Sequence, residues 1–455
     1  MLNYIWLALV LLAVAIGGWN DRFKEVTEGA LDGAKTAVTI ALGLIGIMAL
    51  WLGVMRLAER AGLVQRIARG LRPIMRRLFP DVPPEHPAMG SMVMNMSANM
   101  LGLGNAATPL GLRAMRDLES LNPRPGMATN AMCTFLAINT SSVQLVPATA
   151  IAILAASGST RPTAIVGTAL LATLCAASVA IISVKLLEKL PIFRISPSAQ
   201  RTKIEQELEK AEIKEEAGIS DPGDSSSIAL QEPAKRLSIL GFIALSALAV
   251  LFIALFIRMV APTWFGIPAA PDVAPQNVFV RSVNALSILA IPFLLSFFPL
   301  YAAARGIKVY DEFVEGAKEG FGVILKIIPF LVTMLVAIGM FKGAGGIDLL
   351  SRLLSPILTP LQFPTDLLPL ALMRPLSGSA TLALLTDIVH RLGPDNIVSL
   401  TAATIYGSTE TTFYVAAVYF GAVNIKKTRH AVPVGLIADV SAILLAILAC
   451  KLFFS

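Results

Sequence analysis

The sequence predicts an all-α polytopic membrane protein made of two inverted-topology repeats, each with a re-entrant helical hairpin and a broken span. Three observations carry this. The 455 residues are 55% hydrophobic and only 15% charged, where a soluble domain carries roughly 25% charged residues. Apolar stretches of membrane-spanning length recur along the chain. Two further apolar stretches are short-limbed and interrupted by glycine, and they hold corresponding places in the two halves.

Composition closes other classes. The net charge of +7 is read through membrane topology and not as a nucleic-acid footprint. Cys133, Cys175 and Cys450 all lie in apolar segments without a CxxC pair, so structural disulfides are not expected. His86, His390 and His430 look like loop or segment-end residues. There is no HExxH, no GxSxG and no Ser–His–Asp set at membrane depth, so no enzyme is expected. No Walker A motif and no cofactor signature occur.

The elements follow in order. Residues 2–18 are apolar with no Lys or Arg before them, which favours a retained span over a signal peptide. Residues 20–36 are charged and amphipathic, and 37–55 are a span. Residues 56–80 hold seven arginines among Leu and Ile, the pattern of a helix lying in the interface. Residues 88–118 are broken by Gly102, Gly104, Asn105 and Pro109. Each limb is too short to cross, so a re-entrant hairpin is expected. Residues 127–156 are a span interrupted at 139–142, and 163–187 are an unbroken span.

A charged, Ser/Gly/Pro-bearing stretch then breaks the pattern. The domain reading is 1–188, first membrane repeat; 189–235, solvated linker; 236–455, an extra span (237–259) plus the second repeat. The second repeat copies the first in the order of its parts. Residues 282–303, 323–342, a hairpin at 365–391, a broken span at 396–422 and a last span at 431–454 follow one another. Val314-Glu-Gly-Ala317 echoes Thr27-Glu-Gly-Ala30, and Leu354-Ser-Pro-Ile-Leu358 echoes Leu71-Arg-Pro-Ile-Met75. The arginine-rich 56–80 stretch has a counterpart, 342–366, with only Lys342 and Arg352. The positive-inside rule puts the first in the cytoplasm and the second outside, which makes the repeats inverted. Nine spans result, with the amino terminus and linker cytoplasmic, in the plasma (inner) membrane. Were the hairpins to cross fully, there would be eleven and the inversion would fail.

The candidate site is the polar stretch inside the second broken span: Ser408, Thr409, Glu410, Thr411 and Thr412. A carboxylate at membrane depth marks a site by default, and an unwound polar segment is how transporters hold a solute. Glu410 is expected to accept from a solute or to carry a coupling ion, with Arg374 as an anion binder or its counter-ion. Asn139, Thr140, Ser141, Ser142 and Gln144 are its uncharged counterpart in the first repeat. Asn95 and Asn99 share a helix face and, with Asn105, line the first hairpin or glue helices together. Ser377 and Ser379 at the second hairpin tip present hydroxyls to an anion or cap a short helix. Met89, Met92, Met96 and Met100 with Cys133 give a weaker reading as a soft-metal site; gap-filling is the commoner use of methionine. Asp387 is expected near the outer mouth and solvated.

Several of these stretches resemble known proteins. The run from Asn95 to Pro109, followed by Leu112-Arg-Ala-Met115, resembles the spore maturation protein A family. Arg374-Pro-Leu-Ser-Gly-Ser379, Gly407 to Tyr414 and Tyr419 to His430 resemble the spore maturation protein B family. Those two usually occur as separate chains, so this sequence looks like a fusion across the 189–235 linker. The resemblance places both halves in the nucleoside-recognition, or Gate, group, with parts of concentrative nucleoside transporters and of the ferrous-iron permease membrane domain. It implies an inverted-repeat transporter fold. Gly407-Ser-Thr-Glu410 resembles the Gln-Thr-Glu kind of stretch in nucleoside transporters, with Ser for Gln and on a broken span. The expected function is a secondary transporter of a small polar solute, nucleoside-like or a small carboxylate, with H+ or Na+ as coupling ion. A non-transporting scaffold or partner protein of the spore-maturation type is the alternative, and a metal-ion permease a further one. The expected partners are the solute and the lipid bilayer, not nucleic acid; self-association is compatible with this.

Overall fold

A computed structural model describes residues 2–102, 104–193, 238–265, 278–358 and 363–454. Among them are seventeen α-helices and no named strand. The first half contains α1 (Leu2–Trp19), α2 (Phe23–Arg60), α3 (Leu63–Leu78), α4 (Pro87–Met100), α5 (Gly104–Ser120), α6 (Asn130–Ser141), α7 (Ala148–Ala156) and α8 (Ile165–Leu187). Then comes α9 (Ile239–Val260). The second half contains α10 (Val278–Ala304), α11 (Val309–Gly343), α12 (Gly346–Leu358), α13 (Leu368–Met373), α14 (Gly378–Leu392), α15 (Ile397–Ser408), α16 (Thr412–Gly421) and α17 (Ala431–Phe454). Eight elements, one extra helix and eight elements in the same order are the repeat that the sequence predicts.

The inversion is visible along one seam. Helix α2 and its equivalent α11 run antiparallel with their backbones touching. Gly29 meets Gly339, and Gly33 meets Leu335, so the number falls on one helix as it rises on the other. The equivalents reproduce the pattern. Gly316, which matches Gly29, meets Leu52 and Gly53; Gly320, which matches Gly33, meets Met48 and Ala49. Reciprocal contacts between antiparallel equivalents mean a pseudo-two-fold axis across the helices. Missing side chains let the backbones approach this closely, as small residues do at helix crossings in membranes. One end of the seam is ionic: Arg56 Nε donates to Glu312 Oε2 at 2.8 Å, and Arg56 Nη1 to Glu319 Oε1 at 2.5 Å.

The seam also corrects an expectation. Residues 20–36 and 37–55 are not separate elements; they form the single helix α2. No proline falls within it, and its charged first turns project beyond the apolar part. At 38 residues it is about 57 Å long, well beyond a hydrocarbon core of about 30 Å. Gly62 in the left-handed conformation (φ 73°) then turns the chain into α3, the amphipathic helix with its arginines. Among the described residues, five helices are long and apolar enough to cross a bilayer. The extra one, α9, shows Phe242, Ile243, Val250 and Ile253 outward and packs against α10 through Phe252 on Phe293. The bulk of the 189–235 linker lies outside the described residues.

Both hairpins and both breaks fall where expected. Helices α4 and α5 double back around Leu101–Gly102, and α13 and α14 around Pro375–Ser377. The loop pairs at the two ends also match. At one end Ala128 N–H donates to Lys427 O at 3.0 Å. At the other, Asp395 accepts from Ser159 Oγ (2.5 Å), Thr160 N–H (3.0 Å) and Thr160 Oγ1 (2.7 Å). Slight burial pushes the Asp395 carboxyl up, but those hydrogen bonds outweigh it and hold it down at about 2.

Two predictions follow from the seam and the clamp. Gly29→Leu should destabilise the protein by about 1–3 kcal/mol, because overpacking forces the backbones apart. Gly322→Ala, with nothing near its added methyl, should leave the unfolding temperature in detergent unchanged or raised. The Asp395 clamp adds stability above the ordinary carboxyl value of 3.8 and loses it as pH falls toward 2. Asp395→Asn should therefore be less thermostable than wild type at pH 7, with the gap closing in acid; an equal gap at both pH values contradicts the assignment.

Candidate functional site

The two broken spans meet back to back. Helix α6 ends at Ser141 and Ser142 turns the chain with φ 31°. Helix α15 ends at Ser408 and Thr409 is fully extended. Each hairpin tip is bonded to the break of its own repeat: Leu145 N–H to Met100 O in the first, Phe413 N–H to Pro375 O in the second, both at 3.0 Å. One bond ties the breaks to each other, Glu410 N–H to Thr140 O at 2.7 Å.

A cavity of about 80 Å³ opens beside this bond, lined by Gln144, Pro147, Thr149, Ala150, Arg374, Gly378, Tyr406, Gly407 and Glu410. Its walls come from both repeats. Glu410 is half-buried, and Gln144 Nε2 donates to its Oε1 at 3.4 Å. Arg374 is buried, at 2% exposure. Its Nη1 donates to Thr411 Oγ1 (3.3 Å), its Nη2 to Tyr406 O (3.1 Å), and its guanidinium lies over the Tyr406 ring at 5.2 Å. Nε has no partner. Arg374 thus satisfies a carbonyl at the electron-rich carboxyl end of α15. It is not within ion-pair distance of Glu410, which corrects the expected Arg374–Glu410 pair. The hairpin turn aims the guanidinium at α15, while Glu410 is anchored through its own backbone to Thr140. Arg374 and Glu410 therefore line one small cavity without forming an ion pair. The amino end of α14, at Gly378, adds its positive dipole end to the Arg374 side.

The remaining candidates divide into three groups. Ser408 and Ser141, equivalent positions, both bond back into their own helix ends, to Ile405 O and Ile138 O at 3.1 Å. Ser377 caps α14 by accepting from Ala380 N–H at 3.2 Å and lies 3.3 Å from the Ser379 hydroxyl. Asn95 donates to Ala107 O (2.7 Å) and Tyr419 Oη (3.2 Å); Asn99 donates to Asn139 Oδ1 (2.9 Å), which also accepts from Tyr419. This chain bolts the first hairpin to both broken spans. It supports the gluing role for these amides. The Asn105 side chain lies outside the described residues. Met89, Met92 and Cys133 are packed in an apolar cluster with Met115 and Met132, and among the described residues no three His, Cys, Asp or Glu converge. Asp387, expected to be solvated, is ion-paired to Arg391 at 3.2 Å, one helical turn along α14.

Three residues at the breaks escaped the sequence reading. Thr173 and Asp439 are each the ninth residue of their helices, α8 and α17, and each serves the break beside it. The Thr173 hydroxyl donates to Ser141 O at 2.8 Å, and Asp439 Oδ2 accepts from Thr412 Oγ1 at 2.6 Å. Tyr406 walls the cavity. An aspartate well inside the largely apolar 24-residue helix α17 was the available signal.

Comparison with known proteins agrees with this architecture. Residues 41–158 and 324–426 match the Gate family, described as nucleoside recognition. Spore maturation protein A of Bacillus subtilis (strain 168) is 46% identical over 182 residues, 40% of this chain and 93% of that protein. Spore maturation protein B of the same organism is 42% identical over 172 residues, 38% of this chain and 97% of that protein. The chain belongs to the Gate nucleoside-recognition family of membrane proteins, and it joins in one polypeptide a region similar to spore maturation protein A and a region similar to spore maturation protein B.

Proposed function

We propose that this protein is a secondary transporter of a small polar solute that carries a carboxylate, bound at the cavity between the breaks. The observation that carries the reading is the pair of side chains Arg374 and Glu410, lining one cavity without forming an ion pair, where two helices are unwound. Arg374 and the amino end of α14 take the carboxylate, since a guanidinium with a free Nε offers a charge-assisted donor. Glu410 and Gln144 take a donor on the solute. At about 80 Å³ the cavity has the volume of roughly two or three waters, which suits a solute of a few heavy atoms. A nucleoside fits only if the breaks separate.

The repeats supply the motion. The glycine seam holds α2 and α11 together as a frame. The hairpins and broken helices are short. Rocking them about Glu410–Thr140 exposes the cavity alternately to either side. In this reading the arginine-rich end, with Arg56, Arg60, α3 and Lys426 to Arg429, is cytoplasmic. The amino terminus lies at that end, the carboxyl terminus at the other, and the membrane is the plasma membrane. A scaffold of the spore-maturation type would have a dry, fully packed midplane; the charged cavity favours transport instead.

Purified protein screened by thermal shift against amino acids, dicarboxylates, nucleosides and metal ions at two pH values should be stabilised by a small carboxylate. Glu410→Gln and Arg374→Lys should each abolish that shift and lower uptake into proteoliposomes at least tenfold while the protein stays monodisperse. Full uptake by either variant would sink the assignment.

A further inference from the structure

The break has a second side. Thr411 accepts from Arg374 of the hairpin and Glu410 lines the cavity, whereas Thr412 bonds to Asp439 on α17 with Thr409 beside it. Asp439 is 1% exposed. The Thr412 hydroxyl donates to Asp439 Oδ2 at 2.6 Å. Asp439 Oδ1 has no partner within ordinary hydrogen-bond distance, and the Thr409 hydroxyl, itself 2% exposed, lies beside the carboxyl and faces it. No cation among the described residues lies within ion-pair distance of the carboxylate. The charged groups that face it are Arg374 from the hairpin and Glu410 from the break. Helices α6, α15 and α16 carry no charged residue, and α8 carries only Lys185, in its last turn.

An ionised carboxylate with a bare oxygen, away from water and unpaired, is a costly placement in a bilayer. A proton on the carboxyl removes the charge; the Thr409 hydroxyl beside Oδ1 accepts from it when it is present and donates to Oδ1 when it has left. A hard metal ion would need more: calcium, for example, gathers about six to eight oxygens, and two are unpartnered here. We propose that Asp439 binds an exchangeable proton and that the 408–412 break gates its release. This rests on the transporter reading for its purpose, but not for its existence. With the break closed, the proton stays on Oδ1. When the segment shifts to admit or release solute, Thr412 leaves Oδ2, water reaches the carboxyl, and the proton passes to that water. The carboxylate takes a proton back from water on the opposite side when the break reopens there. Solute movement and proton movement then share the Thr409–Thr412 segment.

Infrared titration of the purified full-length protein tests this without any solute. Wild type should show a protonated-carboxyl band that disappears as pH rises. Asp439→Asn, which keeps the shape without the charge, should lack the band, and Glu410→Gln should keep it. Asp439→Glu should show a shifted band, and Thr412→Val should move the pH at which the wild-type band vanishes. A band that persists in Asp439→Asn, or its absence from wild type at every pH, overturns the proposal. So does a vanishing point unchanged in Thr412→Val. Alanine and malonate uptake into proteoliposomes separates the two claims. The Asp439 band without uptake of either probe leaves the proton site standing and removes the transporter reading. Uptake with the same pH dependence in wild type and Asp439→Asn does the reverse.

Discussion

Everything in this fold hangs on the contact between α2 and α11. Two long antiparallel helices touch backbone to backbone because glycine stands at Gly29, Gly33, Gly316, Gly320 and Gly339. The contact is non-directional in energy but strict in shape, since dispersion between close backbones falls steeply with separation. It sets the pseudo-two-fold axis. Once that axis exists, each later element has a fixed partner: hairpin opposite hairpin, break opposite break, loop clamp opposite loop clamp. The bonds Leu145–Met100 and Phe413–Pro375 each tie a hairpin turn to the break of its own repeat.

The two breaks differ in charge. The first break is neutral, and its supporting helix offers the Thr173 hydroxyl to the Ser141 and Ser142 carbonyls. The second carries Glu410, and its supporting helix offers the Asp439 carboxylate to a threonine hydroxyl. Leu101, at the first hairpin turn, stands where the second has Arg374. One repeat thus supplies shape and the other supplies charge. Arg374 and Glu410 lie at bent or extended backbone, where helix ends leave amides and carbonyls to meet them, whereas Asp439 reaches the break from within α17.

How much of this was legible in the sequence depended on how local its cause is. Spans, breaks and hairpins were legible because glycine, proline and apolar run length act over a dozen residues. The repeat was legible in the order of parts and in Thr27-Glu-Gly-Ala30 against Val314-Glu-Gly-Ala317. The continuity of residues 20–36 with 37–55 in α2 was not, because a change of polarity along a helix looks the same in sequence as a change of element. The charged turns continue the helix past the membrane surface and do not end it. Glu410 and Arg374 were legible as charges in apolar surroundings, but their bonding was not: which carbonyl a guanidinium reaches depends on the hairpin turn and on α15. Asp439 is a carboxylate in an apolar helix, and its role is not legible because its partner, Thr412, lies 27 residues away across a turn and a break. Tyr419 looked like one more aromatic of a span, yet it holds Asn95 and Asn139 across helices distant in sequence.

The cavity wall has a further meaning. Gln144, Thr149 and Ala150 come from one repeat, and Arg374, Tyr406 and Glu410 from the other. Neither repeat encloses the space alone. Two proteins meeting in a bilayer to build such a wall would depend on their relative abundance and on finding each other with opposite orientation. A single polypeptide replaces that encounter with an internal one at high effective concentration. It also fixes the ratio of the two walls at one to one, and α9, the unmatched span, fixes their opposite orientation within the same chain.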